Sequence, residues 1–234
     1  MKRYKAVFLD WDDTIGDWHN AEVNALRDVY QMFHIDELYD TPDEYIAAYK
    51  PYNLSLWRKY GRGEITKELL HFDRFRHPLL VTENDLFRGR QKDELALEMG
   101  DRFLQLTNHY FTLMPDAENV VRILASRYPL TIISNGFSEI QHYKFSHSGL
   151  QDCFTHLLIS DEIGINKPNS EIFDIALKKN SVKPEEAVMV GDSYDSDIAG
   201  AKSAGIDQIW LHDGDTSQTA TYIVPKLKDI LKIL

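Results

Sequence analysis

Asp10, Asp12 and Asp13 crowd together in "FLDWDDTIGDW", directly after an apolar run from Tyr4 to Leu9 broken only by Lys5. Carboxylates this close repel one another, and the end of a strand is partly desolvated, so something must offset their charge. Other polar residues end similar runs: Ser134 and Asn135 after "LTIIS", Gly191 and Asp192 after "AVMVG". Lys167 lies in the loop "DEIGINKPNSEIF", before a helix expected to open at Pro168. A divalent cation shared by Asp10, Asp12 and Asp192 would relieve the repulsion. Magnesium suits the donors: it takes oxygen ligands, keeps several waters, and is usually held by carboxylates together with a phosphate oxygen. Beside it, Lys167 would supply a fixed positive charge. The Ser134 hydroxyl and the amides after it would supply hydrogen-bond donors for phosphate oxygens.

These residues meet only if the chain brings its strand ends to one edge. From about Leu130 onward, short apolar runs ("LTIIS", "HLLIS", "AVMVG", "QIWLH") alternate with amphipathic stretches such as "SEIFDIALKKN" and "SDIAGAKSAG". That alternation predicts an α/β fold with a parallel sheet and crossover helices, and "AVFLD" has the character of one more strand. In such sheets, ligands bind outside the carboxyl ends of the strands, near a switch in strand order. The stretch from about Gly16 to Tyr110 has no clear buried-strand run. Its apolar residues recur at three- and four-residue steps, as in "NAEVNALRDVYQMF" and "KDELALEMGDRFLQLTNHYF", which predicts helices. "TPDEYIAAYKPY" starts with a capping Thr41 and Pro42 at the first helical position. The expected organisation is a core of residues 1–15 and 111–234, with a helical insert of residues 16–110.

Composition narrows the partners. The 234 residues are 43% hydrophobic, enough for a real core, and carry a formal net charge of -11. So acidic a surface argues against a sequence-independent nucleic-acid binder and against an anionic-membrane binder, but not against a small anionic substrate in a locally positive pocket. A single cysteine, Cys153, excludes an internal disulfide and points to a reducing compartment. No signal-like start or spanning apolar run is present, so a cytoplasmic protein is expected.

The four motifs together resemble the haloacid dehalogenase (HAD) superfamily of phosphatases: "DWDDT", "SNG", "KP" and "GDSYDSD", in that order from Asp10 to Asp197. Each alone is weak. Four in order, with a helical insert after the first, are specific. The resemblance implies a Rossmann-like core with helices on both faces of the sheet, and a helical cap hinged near Gly16 and Pro115. It implies that Asp10 is the nucleophile forming an aspartyl-phosphate, and that Asp12 protonates the leaving alcohol and then activates water. Magnesium would be held by Asp10 and Asp192 through side chains and by Asp12 through its backbone carbonyl. Ser134, Asn135 and Lys167 would hold the phosphoryl oxygens, and Asp197 would orient Lys167 or a metal-bound water. The superfamily's dehalogenases lack an acid at the Asp12 position, so its presence favours phosphate chemistry. "LWRKYGRGEITKELL", "SNGF" and "GAKSAGIDQIWLH" resemble the phosphatases of nucleoside 5'-monophosphates, the 5'-nucleotidase group.

Plainer readings exist for each residue. "DWDD" could be a solvated acidic turn, Ser134–Asn135–Gly136 an ordinary turn, and Ser193 a helix cap. Asp13 is expected to cap the first turn of the following segment, and Cys153 to be a small core residue. His142 and His147 fit no metal-ligand pattern. Tyr45, Tyr49, Tyr52, Trp57 and Tyr60 are expected to form the insert's core, with Asn53 and Arg58 as candidate substrate contacts. Two other functions remain in view: a phosphoglycolate or sugar-phosphate phosphatase or phosphomutase of the same fold, and a phospho-receiver signalling protein.

Overall fold

The computed structural model describes residues 4–82 and 85–234. It holds a six-stranded sheet in the order β5-β4-β1-β6-β7-β8. The strands are β1 (Ala6–Leu9), β4 (Leu130–Ser134), β5 (His156–Ile159), β6 (Ala187–Gly191), β7 (Asp207–Leu211) and β8 (Tyr222–Val224). Every neighbouring pair in this sheet is parallel. The chain builds outward from β1 through β4 to β5, then crosses back to place β6 on the other side of β1. That reversal opens a crevice at the carboxyl ends of β4, β1 and β6, where ligands of open α/β sheets bind.

Both parities of the central strands are buried. Ala6 and Phe8 pack with Ile133, Met189, Phe173 and Ala201 in one cluster. Val7, Leu9, Ile132, Val188 and Val190, on the opposite face, are equally inaccessible. A sheet covered on both sides needs continuous apolar strands rather than alternating ones, which is how "AVFL" and "AVMVG" are written. The covering helices of this unit include α5 (Ala117–Ala125), α6 (Ser138–His147), α7 (Ser160–Ile163), α8 (Ser170–Asn180) and α9 (Ala199–Ser203).

The chain divides into two compact units, residues 1–18 with 112–234, and residues 19–111. The second unit carries most of α1 (Trp18–Met32), then α2 (Pro42–Gly61), α3 (Lys67–Leu79), a small antiparallel ribbon β2 (Leu86–Phe87) and β3 (Arg90–Gln91), and α4 (Lys92–His109). Thr41 caps α2 by accepting from the Glu44 amide at 3.2 Å, with Pro42 at the first turn. The helix does not stop at "KPY" but runs through Pro51 to Gly61. Proline deletes one backbone bond there. The apolar stripe Tyr45, Tyr49 and Leu56, buried on both sides of it, holds the helix together. Tyr49 and Phe75 lie 5.1 Å apart, and Phe75 and Phe103 5.2 Å, so α2, α3 and α4 share one aromatic core. Tyr45 and Tyr49 belong to that core; Tyr52 instead stacks on His77 at 3.7 Å, and Trp57 meets Tyr60 edge-on. No helix among the described residues is long and apolar enough to cross a membrane.

Four local expectations need correction. The helix after Lys167 opens at Ser170, not Pro168, because Asn169 is its cap, accepting from the Glu171 amide at 3.0 Å. Asp13 does not cap a helix. It sits at a left-handed turn position (φ 58°), donates its amide to the Gly16 carbonyl, and α1 begins only at Trp18. Cys153 is half-buried beside Arg122 rather than in the core. "SDIAGAKSAG" is not one regular helix: a π-helical turn, Tyr194–Ile198, precedes a short α9.

Candidate active site

The site begins with the register of β1 between its two neighbours. Pairing with β4 and β6 sets Leu9 beside Ile132 and Val190, and the Asp10 amide bonds the Val190 carbonyl at 2.9 Å. Asp10 is therefore delivered to the sheet's edge by the ladder itself, 7% exposed. The carboxylates of Asp10, Asp192 and Asp197 offer oxygens that all lie within 4.8 Å of one another. Lys167, 2% exposed, enters this cluster from the loop after α7. Its ammonium donates to Asp10, to Asp197 Oδ1 at 2.7 Å and to the Ile133 carbonyl at 2.6 Å. An ammonium has three donors, and these acceptors use all of them.

The Lys167 loop is held in place by the turn after β4. The Asn135 side chain donates to the Lys167 carbonyl and accepts from its amide, both at 2.8 Å. Asn135 thus spends its side chain on the loop, leaving its main-chain amide for any ligand. Ser134 is 1% exposed, and its hydroxyl accepts from the Gly136 amide at 3.3 Å. The π turn positions Asp197: its amide and that of Ile198 both bond the Ser193 carbonyl, while Asp197 Oδ2 accepts from the Ser193 amide at 3.1 Å. Ser193 also caps that turn through its hydroxyl. A widened turn re-aims a side chain, and here it turns Asp197 toward Lys167. Gly191 makes room for it, since a Cβ there would fall 2.3 Å from Asp197 Oδ2.

Three acids and one ammonium leave the cluster short of positive charge, and its protonation reflects that. Burial pushes the Asp10 carboxyl well up; Lys167 pulls it down, and Asp197, Asp192 and Asp12 add to the rise. Burial also raises Asp192, to about 7, with Asp197 and Asp13 adding to the effect. For Lys167, burial alone would lower the ammonium, but the charges of Asp10 and Asp197 more than offset it and leave it raised.

Asp12 lies apart from this cluster. Its Oδ1 accepts from Lys144 at 2.6 Å and its Oδ2 from Gln141 at 2.8 Å. Both donors are on α6, one turn apart in "SEIQHYKF", and neither was anticipated. The available signal was a lysine on the same helical face as a glutamine, directly after "SNG". Thr14, the last residue of "DWDDT", was also passed over; it is fully buried and donates to Asp192 Oδ1 at 3.4 Å. Trp210 holds the Asp192 main chain by donating to its carbonyl at 2.8 Å. Of the two proposed substrate contacts in the second unit, Asn53 is buried and donates to Glu22 at 3.4 Å, and Arg58 is exposed.

The family model for haloacid dehalogenase-like hydrolases matches residues 4–205, most of the chain, including Asp10, Asp12, Ser134, Asn135, Lys167, Asp192 and Asp197. The chain belongs to the haloacid dehalogenase-like hydrolases. Among known proteins, this hydrolase is 38% identical over 238 residues to a glyceraldehyde 3-phosphate phosphatase of Pyrococcus abyssi, covering 98% of this chain and 93% of that one. It is 30% identical over 239 residues to the HAD-hydrolase YfnB of Bacillus subtilis, covering 100% and 97%. It is 28% identical over 233 residues to the pyrimidine 5'-nucleotidase YjjG of Escherichia coli, covering 97% and 96%. The crystal structure of YfnB bound to magnesium superposes with a TM-score of 0.81 over 99% of both chains. The α/β fold expected from the sequence is thus the fold of this hydrolase family.

The hydrolase's carboxylate cluster fits magnesium on its own terms. The donors are all oxygens, Asp10 and Asp197 are buried, and the one lysine among them leaves negative charge unmatched.

Proposed function

We propose that this hydrolase is a magnesium-dependent phosphomonoesterase working through an aspartyl-phosphate on Asp10. The observation that carries the proposal is the meeting of Asp10, Lys167 and Asp197 at one strand edge, with Asp192 alongside and Asp12 held separately. Asp10 and Asp192 would bind the ion through side chains, with Asp197 at the third corner of the cluster. Since the Asp12 carboxylate points to α6, its share would be its main-chain carbonyl. The bound ion would draw charge from the phosphoryl oxygens as a Lewis acid.

The remaining chemistry belongs to the chain. An Asp10 oxygen attacks phosphorus as the ester P–O bond breaks, and the departing oxygen takes a proton from Asp12. Water then attacks the phosphorus and gives a proton to Asp12, and the Asp10–phosphorus bond breaks to release phosphate. Lys167, the Ser134 hydroxyl and the amides of Asn135 and Gly136 hold the phosphoryl oxygens. Lys167 and the Gly136 amide must give up part of their present bonding to do so. Two separately held carboxylates suit nucleophile and acid–base roles, and a phospho-receiver needs no such acid.

For the substrate we propose a nucleoside 5'-monophosphate, supported by the insert and "SNGF" resemblances and by the likeness to YjjG. A three-carbon sugar phosphate is the second reading, favoured by the 38% identity to the Pyrococcus abyssi phosphatase. The compact helical unit of residues 19–111 supports reading the insert as a cap. The test is phosphate release from p-nitrophenyl phosphate with magnesium, followed by a panel of nucleoside monophosphates and sugar phosphates. Turnover that ignores a chelator would sink the metal assignment. A long-lived phospho-form without turnover would sink the enzyme, and sugar phosphates outpacing every nucleotide in kcat/KM would move the substrate to the second reading.

A further inference from the structure

We infer that Gln141 and Lys144 are positioning residues for proton exchange by Asp12, working in a space that Gly136 keeps open. This rests on the phosphomonoesterase reading above. Lys144 is 1% exposed, on the buried face of α6 beside Ile140 and Gln141, and its ammonium lies between Asp12 Oδ1 at 2.6 Å and the Trp18 ring, 4.1 Å from its centroid. Burying a lysine is costly, and a single carboxylate partner offsets that cost only when the geometry is good. The Asp12 side chain is 27% exposed, so water could satisfy it without either donor. Stability alone gives little reason to desolvate an ammonium for such a partner. Orientation gives one: two donors from one rigid helix grip both oxygens and fix the plane of the carboxylate.

Gly136 supports the same conclusion. A Cβ built there would stand 1.8 Å from Gln141 Nε2 and 2.5 Å from its Cδ. The glycine of "SNG" is required for close approach, because the Gln141 amide crosses the phosphate-binding turn to reach Asp12. Helix α6 is itself anchored, since Ser138 donates its amide to Asp161 at 3.0 Å and its hydroxyl to Glu162 at 2.6 Å. Direct hydrogen bonds thus tie α6 to the acid on one side and to α7 on the other. This arrangement keeps Asp12 out of the carboxylate cluster of Asp10, Asp192 and Asp197, so the two catalytic carboxylates do not merge.

The first step separates positioning from mere structural support. A nitrophenolate departs from phosphorus without a proton, whereas an alkoxide needs one, so only alkyl esters require a well-placed Asp12 in kcat/KM. In Lys144→Met, kcat/KM for the best alkyl phosphate should fall at least about tenfold further than for p-nitrophenyl phosphate, within the range that acid–base catalysis supplies. Lys144→Arg should recover part of that selective loss. Gln141→Leu, which removes no charge and guards against misfolding of the lysine variant, should show a smaller loss of the same kind. Equal losses on both esters, or none on either, in Lys144→Met and Gln141→Leu would overturn the inference while the wild type stays active. A wild type that cleaves neither ester, or an Asp10→Asn variant as active as wild type, would instead sink the underlying reading and the inference with it.

Discussion

Magnesium binding should depend on pH because the ion must claim carboxylates that the metal-free protein keeps partly protonated. Asp192 is the group that sets the scale. Its ordinary value of 3.8 is raised to about 7 by burial, with Asp197 and Asp13 adding to it. Between those values the folded, metal-free protein holds a proton that the unfolded chain has lost. The folded state is therefore favoured at the acid end, and this contribution disappears as pH rises through about 7. Three pH units correspond to roughly 4 kcal/mol, an upper figure for an isolated group. A metal ion binds the ionised form, so binding must expel the proton wherever it is present. For one group near 7, the apparent affinity should be about tenfold weaker at about pH 6 than at about pH 8. Asp10 is displaced in the same direction, which makes tenfold a floor. Calorimetric titration with magnesium at both pH values, in two buffers of different ionisation enthalpy, gives affinity and protons released together. Close to one proton or more per ion should appear at the lower pH and few at the higher. Thermal unfolding in chelator should show the metal-free protein losing stability across the same window, and magnesium restoring most at the alkaline end. Equal affinities at the two pH values with no proton release would refute the reasoning, because the cluster would then be ionised without a cation.

Four substitutions test the rest of the site. Asp10→Asn should abolish phosphate release while far-UV circular dichroism stays native, as the side chain's size and place in the ladder are kept. Lys167→Met should abolish turnover and cost about 3–5 kcal/mol in chelator, because Asp10 and Asp197 lose their buried cation. Denaturant melts should show magnesium recovering part of that loss. Gly191→Ala should destabilise by about 1–3 kcal/mol and lower kcat, since its new methyl would collide with the Asp197 carboxylate that holds Lys167. Thr14→Val removes the hydroxyl bonded to Asp192 and should weaken magnesium affinity several-fold in the same titration, with little change in the melt.

The sequence by itself determined the class of fold and the principal actors. Apolar runs ending in Asp10, Ser134 and Asp192 needed only a parallel sheet to place those residues on one edge, and side-chain type at a strand end is a local property. It also marked the helical insert through three- and four-residue periodicity. The strand β8 escaped notice because "YIV" is too short and too exposed on one side to show a buried pattern. The continuation of α2 through Pro51 was hidden because packing against α3, not local propensity, overrides the proline. The grip on Asp12 was likewise invisible. Gln141 and Lys144 look like ordinary helix-surface residues until the fold brings α6 against the end of β1, nearly 130 positions away in the chain. Only tertiary structure could separate Asp10 from Asp12 in "DWDD", the first joined to Lys167 and Asp197 and the second to α6. What decides between them is which distant donor each backbone direction meets, and spacing along the chain does not encode that.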